Sequence, residues 1–530
     1  MPPSITSEKI TLTYPIFCAA FVDEDRLLVG GGGGEGRSGV GNKITLLDVS
    51  EPPTVKKSPT DVAIKVLAEI ELSKQEDAVM SLAVVSKNSS LSPSEEKSHQ
   101  SKKRKTLPPN DPPTTTSEAH EQTLDECEER SWLALTGINS SESVQQAGKN
   151  DHFRVFRVSA ETPDSASISL ASQHEFFSSA VDAGSYQRLM RTNGSVAAIG
   201  SGAGLVSKAA SEVVILDIPS LDIKRRIRLP GKEECADLDL SAGGLVVYCT
   251  AKEIFVTSTI GKDGDEPPRK ITWQSSTSMK GSLRSVRFCG PECIVAVLNH
   301  PARTGSELLL IDITGSGKCL SRKNLHKNVK AATAMDAISL GPHQTIVSIA
   351  GADQSVEVLV VENYKIATVK TFREVHPFQI TKVAFSPVPV AREHIQLAST
   401  SIANTVVVFT LPLVSGHNGH RSLLRGSSIV KQTFLSVFLS LIGVVIFAVV
   451  LQLMFEARAG LPLPMERNAI LSRFNEVLGA KTSETAMPEV EEPFMVLKEV
   501  ENGDDNLVDI VDDVSGAYCS RAGSLGEPYY

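Results

Sequence analysis

Several things are scarce in this 530-residue chain. Aromatic residues make up 5%, with two tryptophans, and no Trp-Asp dipeptide closes any unit of the chain. The eight cysteines form no CxxC or zinc-ribbon spacing, and Cys289 and Cys293 bracket Gly290-Pro291-Glu292 as a hairpin would. They read as structural thiols in a reducing compartment. There is no Gly-x-Ser-x-Gly elbow, no His-Glu-x-x-His and no paired-carboxylate cluster, so a hydrolase or metalloprotease reading has nothing to stand on. An excess of positive charge is also missing. The net charge of −9 lies entirely in residues 456–530, with 15 acidic and 6 basic side chains, and the preceding 455 residues balance at zero. A nucleic-acid binder would carry a basic surface; no nucleic-acid partner is expected, and Lys102–Lys105 reads as a solvated charge run. No apolar leader opens the chain after Met1-Pro2-Pro3-Ser4, so no cleaved signal is expected.

What is abundant is short apolar runs. Between Ile16 and Leu411 they are five to seven residues long, β-branched, and separated by Gly, Asp, Asn or Ser. No sustained 3.6-residue period appears, which argues for strands. Seven successive pairs can be marked: Leu27–Gly30 with Lys43–Asp48, Trp132–Leu135 with His152–Val158, Val196–Gly200 with Glu212–Ile218, Gly244–Cys249 with Glu253–Ser258, Cys293–Leu298 with Glu307–Ile313, Thr345–Ala350 with Ser355–Val361, and Ile395–Thr400 with Asn404–Leu411. Four strands per unit at this spacing predict an all-β, seven-bladed, WD40-like propeller over residues 1–413. The last unit is one strand short, and Ile10–Thr13 is placed to close the ring. A β-sandwich or two smaller domains is the alternative.

Residues 86–130, rich in Ser, Pro, Glu and Lys, read as a disordered insertion. Residues 414–431 read as a linker. Residues 432–455 carry no charge and Thr433–Phe455, as a helix of about 34 Å, match a hydrocarbon layer of about 30 Å. They predict one transmembrane helix. Arg421, Arg425 and Lys431 precede it, favouring a cytosolic N-terminal side, and the acidic tail 456–530 is then lumenal and mostly disordered. His376, before Pro377-Phe378, reads as a histidine that hydrogen-bonds within a blade.

The segment most out of the ordinary is Gly30–Gly34, continuing Glu35-Gly36-Arg37-Ser38-Gly39-Val40-Gly41-Asn42-Lys43 between two strand patterns. Five successive glycines are costly to order, so a shaped loop is the economical reading. It formally fits Gly-x-Gly-x-x-Gly, but a dinucleotide turn opens a helix and this one opens a strand; no Walker lysine follows.

This segment, together with His376–Thr381, Ser386-Pro387 and Ala403–Thr405, resembles the Sec-twelve family of endoplasmic-reticulum exchange factors for the small GTPase that initiates the COPII coat. The resemblance implies a guanine nucleotide exchange factor with regulatory activity and no covalent chemistry, whose first-blade loop holds a potassium ion. It implies Gly32, Gly33, Gly34, Glu35 and Gly36 at the ion, Asn42, Val40 and Gly41 acting on the GTPase, and Arg37, Ser38, Gly39 and Lys43 as further partner contacts. It implies a single-pass type II protein of the endoplasmic reticulum, with cycling to the Golgi as a further option. Gly41 and Ala78 stand where some members have proline, and the chain ends in Tyr529-Tyr530, not a retention tetrapeptide. A membrane-anchored scaffold without exchange activity is the alternative function.

Overall fold

The computed structural model describes residues 5–36, 39–50, 64–86, 131–160, 165–177, 185–203, 210–261, 266–273, 281–315, 317–341, 344–389, 392–415 and 421–423, and residues 440–448, 450, 451, 454 and 458. The expected insertion 86–130, except Ser86, and the tail 456–530, except Arg458, lie outside these.

The first of two compact units, which takes in residues 1–425, is a seven-bladed propeller. After β1 (Thr6–Thr11), blade 1 is β2 (Ile16–Phe21), β3 (Arg26–Gly31), β4 (Asn42–Asp48) and β5 (Lys65–Leu72). Blade 2 is β6 (Ser81–Ser86), β7 (Ser131–Gly137), β8 (Phe153–Ser159) and β9 (Ser167–His174), with α1 (Glu142–Gln146) between β7 and β8. Blade 3 holds β10 (Ser185–Thr192), β11 (Val196–Ala203), β12 (Glu212–Asp217) and β13 (Ile223–Arg228); blade 4 holds β14 (Asp237–Leu240), β15 (Leu245–Cys249), β16 (Ile254–Ser258) and β17 (Arg269–Ile271). Blade 5 comprises β18 (Ser282–Phe288), β19 (Cys293–Asn299), β20 (Ser306–Asp312) and β21 (Cys319–Asn324); blade 6 comprises β22 (Ala332–Ser339), β23 (Gln344–Gly351), β24 (Val356–Glu362) and β25 (Lys365–Phe372). Blade 7 is β26 (Ile380–Phe385), β27 (His394–Ser401) and β28 (Thr405–Ser415), and β1 pairs with β28 as its outer strand, from Thr6↔Thr410 to Thr11↔Thr405. The ring is therefore closed by its own N-terminus, as the missing strand required. All seven marked strand pairs fall on second and third strands. These carry continuous apolar runs because they are covered on both faces by neighbouring blades, as the fully buried β23 shows.

The inner strands are joined blade to blade by a repeated device. A β-bulge displaces Arg188, Arg284, Thr333 and Thr381 near the start of their strands, re-aiming each side chain. Each donates to a carbonyl at the start of the next blade: Arg188 Nη2 to Ala236 O (3.1 Å), Arg284 Nε to Thr333 O (3.1 Å), Thr333 Oγ1 to Ile380 O (3.2 Å) and Thr381 Oγ1 to Ile16 O (2.7 Å). Deeper in, Asp237, Asp239 and Asp336 accept the N–H groups of Val286 (3.2 Å), Phe288 (2.9 Å) and Phe385 (3.0 Å). Arg287 bridges Asp237 and Asp336, so buried charges are paired and hydrogen-bonded.

His376 does what its sequence position suggested: Nδ1 meets Thr405 Oγ1 (2.6 Å) and Nε2 meets Ser399 Oγ (2.9 Å). His152 is a second such residue; its Nε2 accepts the N–H groups of Phe176 (3.0 Å) and Phe177 (3.2 Å), and its ring stacks on Phe177. Burial lowers both imidazoles to about 4. Their folded values lie below the unfolded value of about 6.5, so their contribution is fully present above that value and is lost as the pH falls toward 4. Thermal unfolding followed from pH 7 to pH 4.5 is expected to show falling stability, on the order of 2–3 kcal/mol per histidine, and the slope should be reduced in His152→Gln.

Two expectations meet differences here. The linker at 414–431 begins later than its composition suggests: β28 runs to Ser415, pairs with β29 (Arg421–Leu423), and Leu423 is buried with Leu413 and Ile346. Within residues 432–455, the described residues 440–448, 450, 451 and 454 are helical. Among the described residues no helix is long and apolar enough to cross a membrane.

Candidate functional site: the glycine loop of blade 1

Residues 32–41 connect the second and third strands of blade 1, leaving the sheet after the Gly31↔Lys43 pair. Gly31 lies so close to blade 1's entry strand that a Cβ there would sit 1.9 Å from Pro15 O. Gly32 N–H donates to that same carbonyl at 2.9 Å. Gly32 (φ 140°), Gly34 (φ 70°) and Gly39 (φ 75°) occupy backbone regions that side chains disfavour. The run is thus a shaped loop.

Asn42 organises it. The residue is fully buried. Its Oδ1 accepts the Gly34 N–H (2.9 Å), while Nδ2 donates to Ser73 O (3.0 Å) and Glu76 O (2.8 Å). One side chain therefore ties the rising arm of the loop to the connector leaving β5. The expectation that Asn42 acts on a partner by contact meets a different geometry: its polar atoms point inward, and the side chain shapes the surface that a partner would meet.

The other residues divide similarly. Val40 is half-buried, packed on the core that includes Leu12 and Tyr14, and anchors the descending arm. Lys43 is held by Glu69 at 2.5 Å, and Glu69 also accepts from Thr45 (2.9 Å), which meets Tyr14 OH at 2.6 Å. Lys43 thus belongs to the blade's polar spine. Gly41 is half-buried; a Cβ there would come within 2.9 Å of Glu71 Oε1. Glu35, Gly36 and Gly39 form the exposed crest. Arg37 and Ser38 lie outside the described residues. Gly33 is half-buried, and its carbonyl lies 3.8 Å from where a Gly36 Cβ would stand.

Two acidic residues flank the loop. Glu35 reaches across to blade 2, where both carboxylate oxygens accept the N–H of Glu142 at 2.9 Å, at the start of α1. Asp77 lies beneath the crest, its Oδ1 3.3 Å from the position of a Gly34 Cβ and accepting the Ala78 N–H at 2.8 Å. Burial, with a smaller contribution from Glu35's charge, pushes the Asp77 carboxyl up to about 6, against the Ala78 hydrogen bond that lowers it. The sequence reading missed Asp77, Glu76 and Ser73. Their only signal was an acidic pair placed just before an inner strand.

Among the described residues no group of three His, Cys, Asp or Glu side chains could hold a metal ion. Potassium takes neutral carbonyl oxygens; glycines offer such carbonyls without side-chain obstruction, and the carboxylate beside Gly34 is that of Asp77.

No family model matches the chain. It is 26% identical over 404 residues to the guanine nucleotide-exchange factor SEC12 of Candida glabrata, covering 75% of this chain and 71% of that protein. It is 26% identical over 428 and 415 residues to the SED4 proteins of Candida glabrata and Saccharomyces cerevisiae. These matches cover 79% and 76% of this chain, but the chain spans only 34% and 31% of those relatives. Among solved structures, the WD40 domain of Toxoplasma gondii coronin has 9% identity and a TM-score of 0.46, covering 78% of this chain and 88% of that one. Across about three quarters of its length, this chain is similar to yeast proteins named guanine nucleotide-exchange factors.

Proposed function

We propose that the chain is a guanine nucleotide exchange factor that recruits and activates the small GTPase initiating COPII vesicle formation. The observation that carries this is the ordered glycine loop, locked by the buried Asn42 and raised at the edge of blade 1, in a chain similar to SEC12. An exchange factor needs no acid, base or nucleophile. It needs a surface that fits the nucleotide-free GTPase better than the nucleotide-bound form, since only differential affinity shifts an equilibrium. The exposed crest at Glu35, Gly36 and Gly39 is the part that would reach the GTPase's switch segments and disturb their phosphate and magnesium contacts. Arg37 and Ser38 lie between Gly36 and Gly39 in sequence.

A potassium ion would be held by the Gly32–Gly36 carbonyls, with the Asp77 carboxylate completing the charge. When bound it stiffens the loop; the residues around it set its shape. Protonation of Asp77 competes with the cation. Stimulation of GDP release by potassium over sodium is therefore expected above pH 7 and should fade below about pH 6, where the Asp77 carboxyl is largely protonated. Stopped-flow release of a fluorescent GDP analogue, with the full-length chain in each salt, measures this. Equal release in potassium and sodium at pH 7.5 would remove the ion from the account.

The membrane reading is supported by residues 440–448. Leu441, Val444 and Phe447 are 63%, 67% and 65% exposed, and apolar residues occupy every face. A helix apolar all round is one that lipid covers. With a cytosolic propeller this gives a single-pass type II protein, which we assign to the endoplasmic reticulum.

A further inference from the structure

The glycine loop is not held by blade 1 alone. Arg154, in the third strand of blade 2, has a side chain only 4% exposed. It grips Glu76 through two parallel hydrogen bonds, Nη1 to Oε2 and Nη2 to Oε1, each 2.8 Å. Glu76 in turn offers its main-chain carbonyl to Asn42 Nδ2, and Asn42 accepts the Gly34 N–H. One residue on, Asp77 N–H donates to Asn139 O of blade 2 at 3.2 Å, fixing the same connector a second time. The Glu35 carboxylate on the Glu142 N–H is a third strut from blade 2, at the crest itself.

We infer that Arg154 is a positioning residue for exchange: it sets the Ser73–Asp77 connector, which sets Asn42, which sets the crest. A planar guanidinium suits this because a two-point grip fixes angle as well as distance, which a lysine would not. The role is specific to the loop. Arg154 also donates from Nε to Asp151 O at 3.4 Å, and its hydrogen-bonded path to the loop runs through Glu76 and Asn42. The inference rests on the exchange reading for its consequence, but the mechanical coupling stands separately.

The test pairs two measurements on the full-length chain: amide hydrogen exchange across residues 32–36, and release of GDP from the coat-initiating GTPase. Arg154→Met is expected to raise amide exchange across the loop, and to slow assisted GDP release, each by about tenfold, the change expected when a charge-assisted hydrogen-bond pair is lost. Glu76→Gln should move both in the same direction with less risk to folding, and Arg154→Lys should recover part of each. Arg226→Met, which breaks the 2.7 Å contact with the buried Glu212 in blade 3, should leave both unchanged. Loop amides as protected in folded Arg154→Met and Glu76→Gln as in the parent would overturn the positioning role. A parent chain that fails to accelerate release, with the loop amides responding as described, would sink the exchange reading and leave the coupling standing.

Discussion

Asn42→Ala is expected to reduce assisted GDP release by at least about tenfold, since a loss near 1.4 kcal/mol is already a factor of ten. The residue is fully buried and makes three hydrogen bonds, so truncation removes the acceptor of the Gly34 N–H and the donor to the carbonyls of Glu76 and Ser73, of which the Ser73 carbonyl keeps the Glu76 N–H at 3.4 Å. Orphaned buried polar groups cost about 1–3 kcal/mol each; a stability loss on the order of 3 kcal/mol should appear in thermal unfolding. Asn42→Asp separates shaping from contact. It keeps the acceptor for Gly34 but turns a second oxygen toward two carbonyls, so it should fail nearly as badly as alanine. Full activity in Asn42→Asp would show that the donated hydrogen bonds are dispensable.

The second large effect is expected from Gly32→Ala. A Cβ at this position would stand 2.2 Å from Asn42 Oδ1 and 2.5 Å from Asn42 Cα, at a φ of 140° that alanine disfavours. Nothing flexible lies in the way: one obstacle is main chain and the other is the amide that orders the loop. Either Asn42 is displaced or strand β3 shifts against β4. Core overpacking of this kind costs about 1–3 kcal/mol, and assisted release should fall with Asn42→Ala. Gly39→Ala is the informative contrast. A Cβ at Gly39 meets nothing within 4 Å, so only the strain of its φ of 75° remains, and the defect in release should be several-fold smaller. Equal defects at positions 32 and 39 would assign the effect to general flexibility.

The propeller was legible because its strands are buried on both faces, and burial on both faces writes continuous apolar runs such as Ile294–Leu298 and Val358–Val361 into the sequence. Closure by the N-terminus followed from counting, since the final unit had too few strands. The inner-strand bulges were not legible. Arg188, Arg284, Thr333 and Thr381 share a position in the fold but not one residue type or a flanking pattern, because an arginine or a threonine can equally donate to the next blade's carbonyl. The start of the linker was missed for a related reason: β29 is three residues long and carries one buried leucine, too little for periodicity to register.

The site was read in its outline and not in its supports. Glycine content marked the loop directly, since few residues tolerate positive φ or a 1.9 Å approach to a carbonyl. Asn42 was marked too, but sequence carries no sign of which way an amide points, and burial turned it inward. Glu76, Asp77 and Arg154 reach the loop from 34 to 112 residues away in sequence from Asn42. Contacts of that kind exist only once the blades are side by side.

The direct test of the account is the affinity of the full-length chain for the coat-initiating GTPase in two states, nucleotide-free and GDP-bound. The crest is expected to favour the nucleotide-free form by at least about a hundredfold, the order of coupling that makes a ligand shift a two-state equilibrium usefully. Equal affinity for the two forms would contradict the proposal, because a surface that does not distinguish them cannot expel the nucleotide.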